Sequence, residues 1–169
     1  MLMNIRKDAP QRHRERRDNA EGIRHSLRCL CVLCILNEEL LKLLQPGFTI
    51  VNGAVLLKSQ KKLVKGIELG NFSDLTGYEC FVNHVHIEDY LGDVVDSDEL
   101  LKQGLAFAHK TVEGLRSSFP GKRFKVIVAV NESGCNVRFH QIRDGENWLS
   151  DDLEKYQEAI LVVETPVQK

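Results

Sequence analysis

His84, His86 and Glu88 stand at alternate positions, and on an extended strand alternate side chains share one face, so two imidazoles and a carboxylate would form a ligand set for zinc or iron. A plain alternative is a solvent-facing strand edge that carries polar residues, because no fourth-ligand motif accompanies the three. Cys29, Cys31 and Cys34 have the composition of a metal or redox cluster. On a helix, however, only Cys31 and Cys34 lie one turn apart, and no second Cys pair follows at zinc-finger spacing. Small buried thiols are the simpler reading of that stretch.

A third set is cationic. Arg138, His140 and Arg143 fall on or beside one outward strand face near Glu146 and Trp148, which suits an anion or carboxylate site. The same face could be solvated or paired with neighbouring acids, since surface ion pairs are common and weak. Trp148 adds weight to binding, because aromatic and Arg side chains dominate interface hot spots. The fourth set is acidic: Glu88, Asp89, Asp93, Asp96, Asp98 and Glu99 around the entry to a long helix, then Asp151, Asp152 and Glu154. Helix capping and dipole compensation account for part of it, and the remainder suits steering of a basic partner. Gly-rich phosphate loops, a Gly-x-Ser-x-Gly elbow and His-Glu-x-x-His are missing from the sequence, and no catalytic set or cofactor is implied.

The elements that must position these residues follow from periodicity. Ile23, Leu27, Leu30, Cys34, Leu41 and Leu44 share a helical face over residues 23–44, with a fresh start available at Asn37 as N-cap and a stop at Pro46-Gly47. Short β runs predict strands at Phe48–Lys58 and Lys62–Glu68, split by Ser59-Gln60-Lys61, and a third at Tyr78–Ile87. Asp96 and Glu99 have capping-box spacing ahead of a helix over Ser97–Ser118, whose stripe runs Leu101, Leu105, Ala108, Val112, Leu115 and Phe119. Arg123–Val130 is apolar on both faces and reads as a central strand, paired through Asn131–Gly134 with Cys135–Ile142, where Arg138 and His140 should face out. A short helix at Ser150–Tyr156 and a strand at Ala159–Glu164 complete the order. The class is α+β: an antiparallel or mixed sheet of about six strands with one long helix packed on a face, plus an N-terminal helix.

Composition sets the bounds. The 169 residues suit one core, and a hydrophobic share of 43% with 28% charged is ordinary for a folded protein. Residues 1–44 hold nine Lys/Arg against six Asp/Glu, leaving fourteen against eighteen in residues 45–169. A mildly acidic domain argues against a nucleic-acid-binding face and for a basic protein partner. Residues 1–36 are expected to be a basic, frayed arm, partly helical, or to lie upstream of the true translation start, with residues 37–169 forming a single α+β domain. Five cysteines, an odd set, point to reduced thiols and a cytoplasmic location. Leu27–Leu36 is interrupted by Arg28 and is too short for a bilayer, which needs about 20 residues. Acids among the N-terminal arginines argue against a secretory leader.

The stretch from Asn136 through Trp148 to Ile160 resembles the C-terminal ends of small uncharacterised bacterial proteins, some of which look like immunity proteins from toxin systems. The resemblance covers the C-terminal third of the chain, contains no catalytic signature and carries over no functional residue. It implies a small protein-binding module, an immunity protein that occludes a basic toxin domain through its acids. A metal-dependent enzyme using His84, His86 and Glu88, and a structural homodimer subunit, are the alternatives the residues leave open.

Overall fold

Asn37 sets the first helix of the structure, a computed structural model that describes residues 36–63, 66–92, 96–132 and 134–166. Its side-chain oxygen accepts from the Glu39 amide at 2.8 Å, capping α1 (Glu38–Leu44), and its own amide donates to Gln103. Of the helix expected over residues 23–44, the part before Leu36 lies outside the described residues, as do Cys29, Cys31, Cys34 and the N-terminal arm.

The first β hairpin is shorter than the sequence reading expects. β1 (Phe48–Val51) pairs antiparallel with β2 (Ala54–Leu57) about Asn52-Gly53, and both turn residues have positive φ, +50° and +86°. A two-residue turn of that hand matches the twist of the flanking strands, and Asn-Gly tolerates it best. The expected turn at Ser59-Gln60-Lys61 is instead part of a helix, α2 (Lys58–Leu63), and of the strand expected at Lys62–Glu68 the described residues are not extended: Lys62 and Leu63 end that helix and residues 66–68 lie in a turn and loop.

Tyr78–Ile87 is likewise corrected. Asp74 accepts from the Gly77 amide at 2.6 Å and starts α3 (Leu75–Val82), leaving only β3 (Val85–His86) extended. A short apolar run rich in aromatic residues fits either conformation, and the capping aspartate decides it.

The remaining elements follow the sequence closely: α4 (Ser97–Ser118), β4 (Phe124–Asn131), β5 (Gly134–Gln141) and β6 (Ala159–Glu164). Only a 3-10 turn, Leu153–Lys155, replaces the helix expected at Ser150–Tyr156. The strands form two antiparallel sheets, β1-β2 and β3-β5-β4-β6, so β4 is central, as its two apolar faces require. α4 covers one face of the larger sheet. There Phe107, Ala108 and Leu115 meet Phe124, Val126, Val128, Val137 and Phe139. The buried face of α4 is rotated from the expected stripe: Leu101 is 39% exposed, while Gln103, Gly104 and Thr111 are buried. Gly104 explains the rotation, because its missing side chain lets the helix settle directly over Cys135.

β2 is buried on both sides. Val55 and Leu57 join the core under α4, whereas Ala54 and Leu56 pack with Tyr78 and Val82 of α3. Among the described residues no helix is long and apolar enough to cross a membrane.

Candidate functional site

Because β3 is only two residues long, it pairs with β5 at Val85↔Val137 and His86↔Asn136 and goes no further. The rest of that edge of β5 would be left open. Glu79 of α3 and Asn83, its C-cap, close it. Asn83, just past the helix, accepts from the Leu57 amide and donates to the carbonyls of Val55 and Phe139. Glu79 accepts from the Val55 amide at 2.6 Å and the Gln141 amide at 2.7 Å, so these two residues join the small sheet to the large one. Arg143 completes the bridge with two bonds to the same carboxylate, 2.6 Å and 2.9 Å. Burial opposes the Arg143 charge, yet the hydrogen bonds and charge of Glu79 outweigh it and raise its pKa. Glu146, opposite Arg143 in an isolated bridge, accepts from the Thr76 amide at the start of α3. Arg143 thus anchors the start of the segment 142–158 to α3 and is committed to structure.

On the face of β5 opposite α4 lie Asn136, Arg138 and His140, in register beside His84 and His86. The expectation that His140 faces out with Arg138 is corrected: His140 is 2% exposed, and its Nδ1 donates to the Gln141 carbonyl. Burial lowers its pKa, which favours the neutral ring. Arg138 remains at the surface of the cluster. Its Nη2 donates to His84 Nε2 at 2.9 Å and to Asn136 Oδ1 at 3.1 Å, and its Cζ sits 5.4 Å from the centre of the Trp148 ring. His84 and His86 lie ring to ring, 4.3 Å between centroids.

These contacts decide the protonation of His84. Burial first, then Arg138 and His86, bring its pKa down to about 4, so its Nε2 is a bare acceptor at neutral pH. The metal reading of His84, His86 and Glu88 is not sustained by this geometry. A guanidinium fills the direction in which His84 would offer its lone pair, and Glu88 is turned to the Cys135 amide and to His86 Nδ1, at 3.1 Å and 3.2 Å. Among the described residues no group of three His, Cys, Asp or Glu side chains is arranged to hold a metal ion.

Cys80 and Cys135 are buried free thiols. Burial pushes both pKa values up, Cys135 to about 12, which leaves them protonated packing groups. Of the acids singled out in the sequence, Asp89, Asp151 and Asp152 are exposed, while Asp93 lies outside the described residues. Asp152 also caps the Leu153–Lys155 turn through the Glu154 amide.

Periodicity alone misses Leu153 and Tyr156, which join Trp148 as exposed large side chains on the segment 142–158. Ser150 donates its amide to the Tyr156 hydroxyl, folding the segment back on itself. The signal that could have found them is composition: apolar and aromatic residues set among acids.

The profile of the Uncharacterized protein PM0498 family matches residues 23–169. A relative of that name from Pasteurella multocida (strain Pm70) is 28% identical, over 76% of this chain and 84% of its own length. The likeness read from the C-terminal third therefore extends through most of the chain. No solved structure matches.

Proposed function

This chain belongs to the Uncharacterized protein PM0498 family, and we propose that it serves there as a protein-binding module. The observation that carries the reading is the segment 142–158, which exposes Trp148, Leu153 and Tyr156 among Asp151, Asp152, Glu154 and Glu158. Surfaces that bind proteins concentrate their energy in a few aromatic anchors surrounded by polar groups. The acids give such a surface its choice of partner, because clustered negative charge steers encounter with a basic one. Asp89 extends the acidic character beyond this segment. The partner is then a basic protein, and in the narrower form of the proposal it is a toxin domain that the chain occludes as its immunity protein.

The test uses the immobilised full-length chain and lysate of its source organism. A basic partner should be retained in stoichiometric amount, and lost when Asp151→Lys and Asp152→Lys are combined or when Trp148→Ala is introduced. Equal recovery by the charge-reversed chain would sink the reading. For the narrower form, the purified partner must lose its own activity on forming the complex.

A further inference from the structure

Arg138 is a cation that makes no ion pair with a described residue, although the charge of Glu158 favours it from a distance. Its two hydrogen bonds go to neutral acceptors, His84 Nε2 and Asn136 Oδ1, and its remaining guanidinium donors are taken up by no described residue. Among the described residues no carboxylate comes within ion-pair distance of it. The acids whose charge bears on this cluster are engaged elsewhere. Glu88 holds the Cys135 amide and His86, and Glu158 accepts from Asn131 Nδ2 at 2.9 Å.

Burial is the leading influence on this guanidinium and works against its charge, yet an arginine does not give up its proton in a protein. A partly desolvated cation of this kind gains from any anion that restores what water no longer supplies. We propose that Arg138 anchors a carboxylate-binding site walled by Trp148, His84 and His86.

The chemistry selects a carboxylate over a phosphate. With both Nη2 hydrogens given to His84 and Asn136, the donors left for a ligand are Nη1 and Nε, which can hold a carboxylate oxygen by a charge-assisted bond. Among the described residues Arg138 is the one fixed positive charge of this cluster, because His84 is neutral, so a monoanion is balanced while the second charge of a dianion has no partner and faces Glu88 beside His86. Trp148 is 40% exposed beside the guanidinium, a flat apolar wall that favours a carboxylate with an apolar tail. A free small acid and the C-terminal carboxylate of a polypeptide share this chemistry. The site stands on its own geometry, whether or not the segment 142–158 docks a protein.

Trp148 is the sole tryptophan in the chain, so its emission reports on this site alone. The full chain is titrated at constant ionic strength with cyclohexanecarboxylate, with cyclohexanol as its uncharged counterpart and with inorganic phosphate. A saturable change is expected with the carboxylate only, weakened by about tenfold or more in Arg138→Gln, as loss of a charge-assisted pair requires. Arg138→Lys, which keeps the charge but loses the planar group that His84 and Asn136 fix beside Trp148, should also bind more weakly, while Arg123→Gln, in a residue paired with Glu164, should bind as the parent does. The proposal is overturned by a parent chain that shows no saturable change, by a lysine variant that binds equally well, or by phosphate or cyclohexanol binding as tightly as the carboxylate. The source is read from Gly-Gly-Phe as free acid and as amide: a free acid tighter than cyclohexanecarboxylate assigns a chain terminus, and a weaker one assigns a small acid. An amide that binds as well as the free acid also refutes the site.

Discussion

His84 shares its Nε2 with a permanent cation, and that contact sets how the protein responds to acid. Its pKa of about 4 in the folded chain compares with about 6.5 for a free histidine. Between those values the unfolded chain takes up a proton that the folded chain refuses. Stability from this group is therefore complete above the unfolded value and is lost as pH falls towards the folded one. His140, also lowered by burial, contributes with the same sign. The urea midpoint should drop on going from about pH 7 to about pH 5, and should drop less in His84→Gln. Partial exposure of the ring screens the effect, so it falls short of what the shift alone would give. In NMR titration the His84 ring should change state with a midpoint of about 4; a midpoint at the free-histidine value would mean that the ring is neither buried nor in contact with Arg138. That Arg138 and Trp148 lie near one another was legible, because a short turn separates their positions in the sequence. The burial of His140 was not, since alternation assigns a residue to a sheet face without saying what covers that face.

At the scale of elements, length separates what the sequence specifies from what it leaves open. α4, β4, β5 and β6 each carry enough residues for a period to emerge, and their bounds fall close to those expected. α3 and β3 do not, and the run Tyr78–Val82 has the residues of a strand within a helix that Asp74 caps. The Asn52-Gly53 turn has its own signal in the sequence, and the polar tripeptide Ser59-Gln60-Lys61, which suits a helix equally well, competes with it. The seat of α4 depends on a feature that periodicity does not report, the close approach at Gly104. Alanine there gains about 1 kcal/mol in helix propensity. A Cβ at 104 runs into the Cys135 sulfur, and both residues belong to an interior that cannot yield cheaply. Overpacking costs of about 1–3 kcal/mol exceed the propensity gain. Gly104→Ala is thus expected to lower unfolding free energy in urea, and Gly104→Ala with Cys135→Ala to recover part of the loss. An alanine variant as stable as the parent would show that α4 has room to lift from the sheet.

For the molecule as a whole, the decisive feature is that its two sheets are joined by side chains and not by strand pairing. Asn83 and Glu79 stand where a longer β3 would have stood, and they satisfy the facing groups of β2 and β5 from a helix. Their linkage adds to the apolar contacts that Val55 and Leu57 make beneath α4. In a fully buried position, each backbone group left without its partner costs about 1–3 kcal/mol. Asn83→Ala removes one acceptor and the donors to two carbonyls, so a loss of at least about 2 kcal/mol is expected, concentrated at the joint. Native-state hydrogen exchange separates this from general loosening. In the parent chain the amides of Val55 and Leu57 should open with those of β4, as one cooperative unit. In Asn83→Ala the Leu57 amide should exchange through a local opening while Val126 and Val128 stay protected up to the global unfolding free energy. If all of these amides fall together, the core under α4 joins the sheets and the asparagine is incidental. If Leu57 falls first, two polar residues of a short helix make the hairpin and the four-stranded sheet one folding unit, and the segment 142–158, tethered to the same Glu79 through Arg143, inherits its position from them.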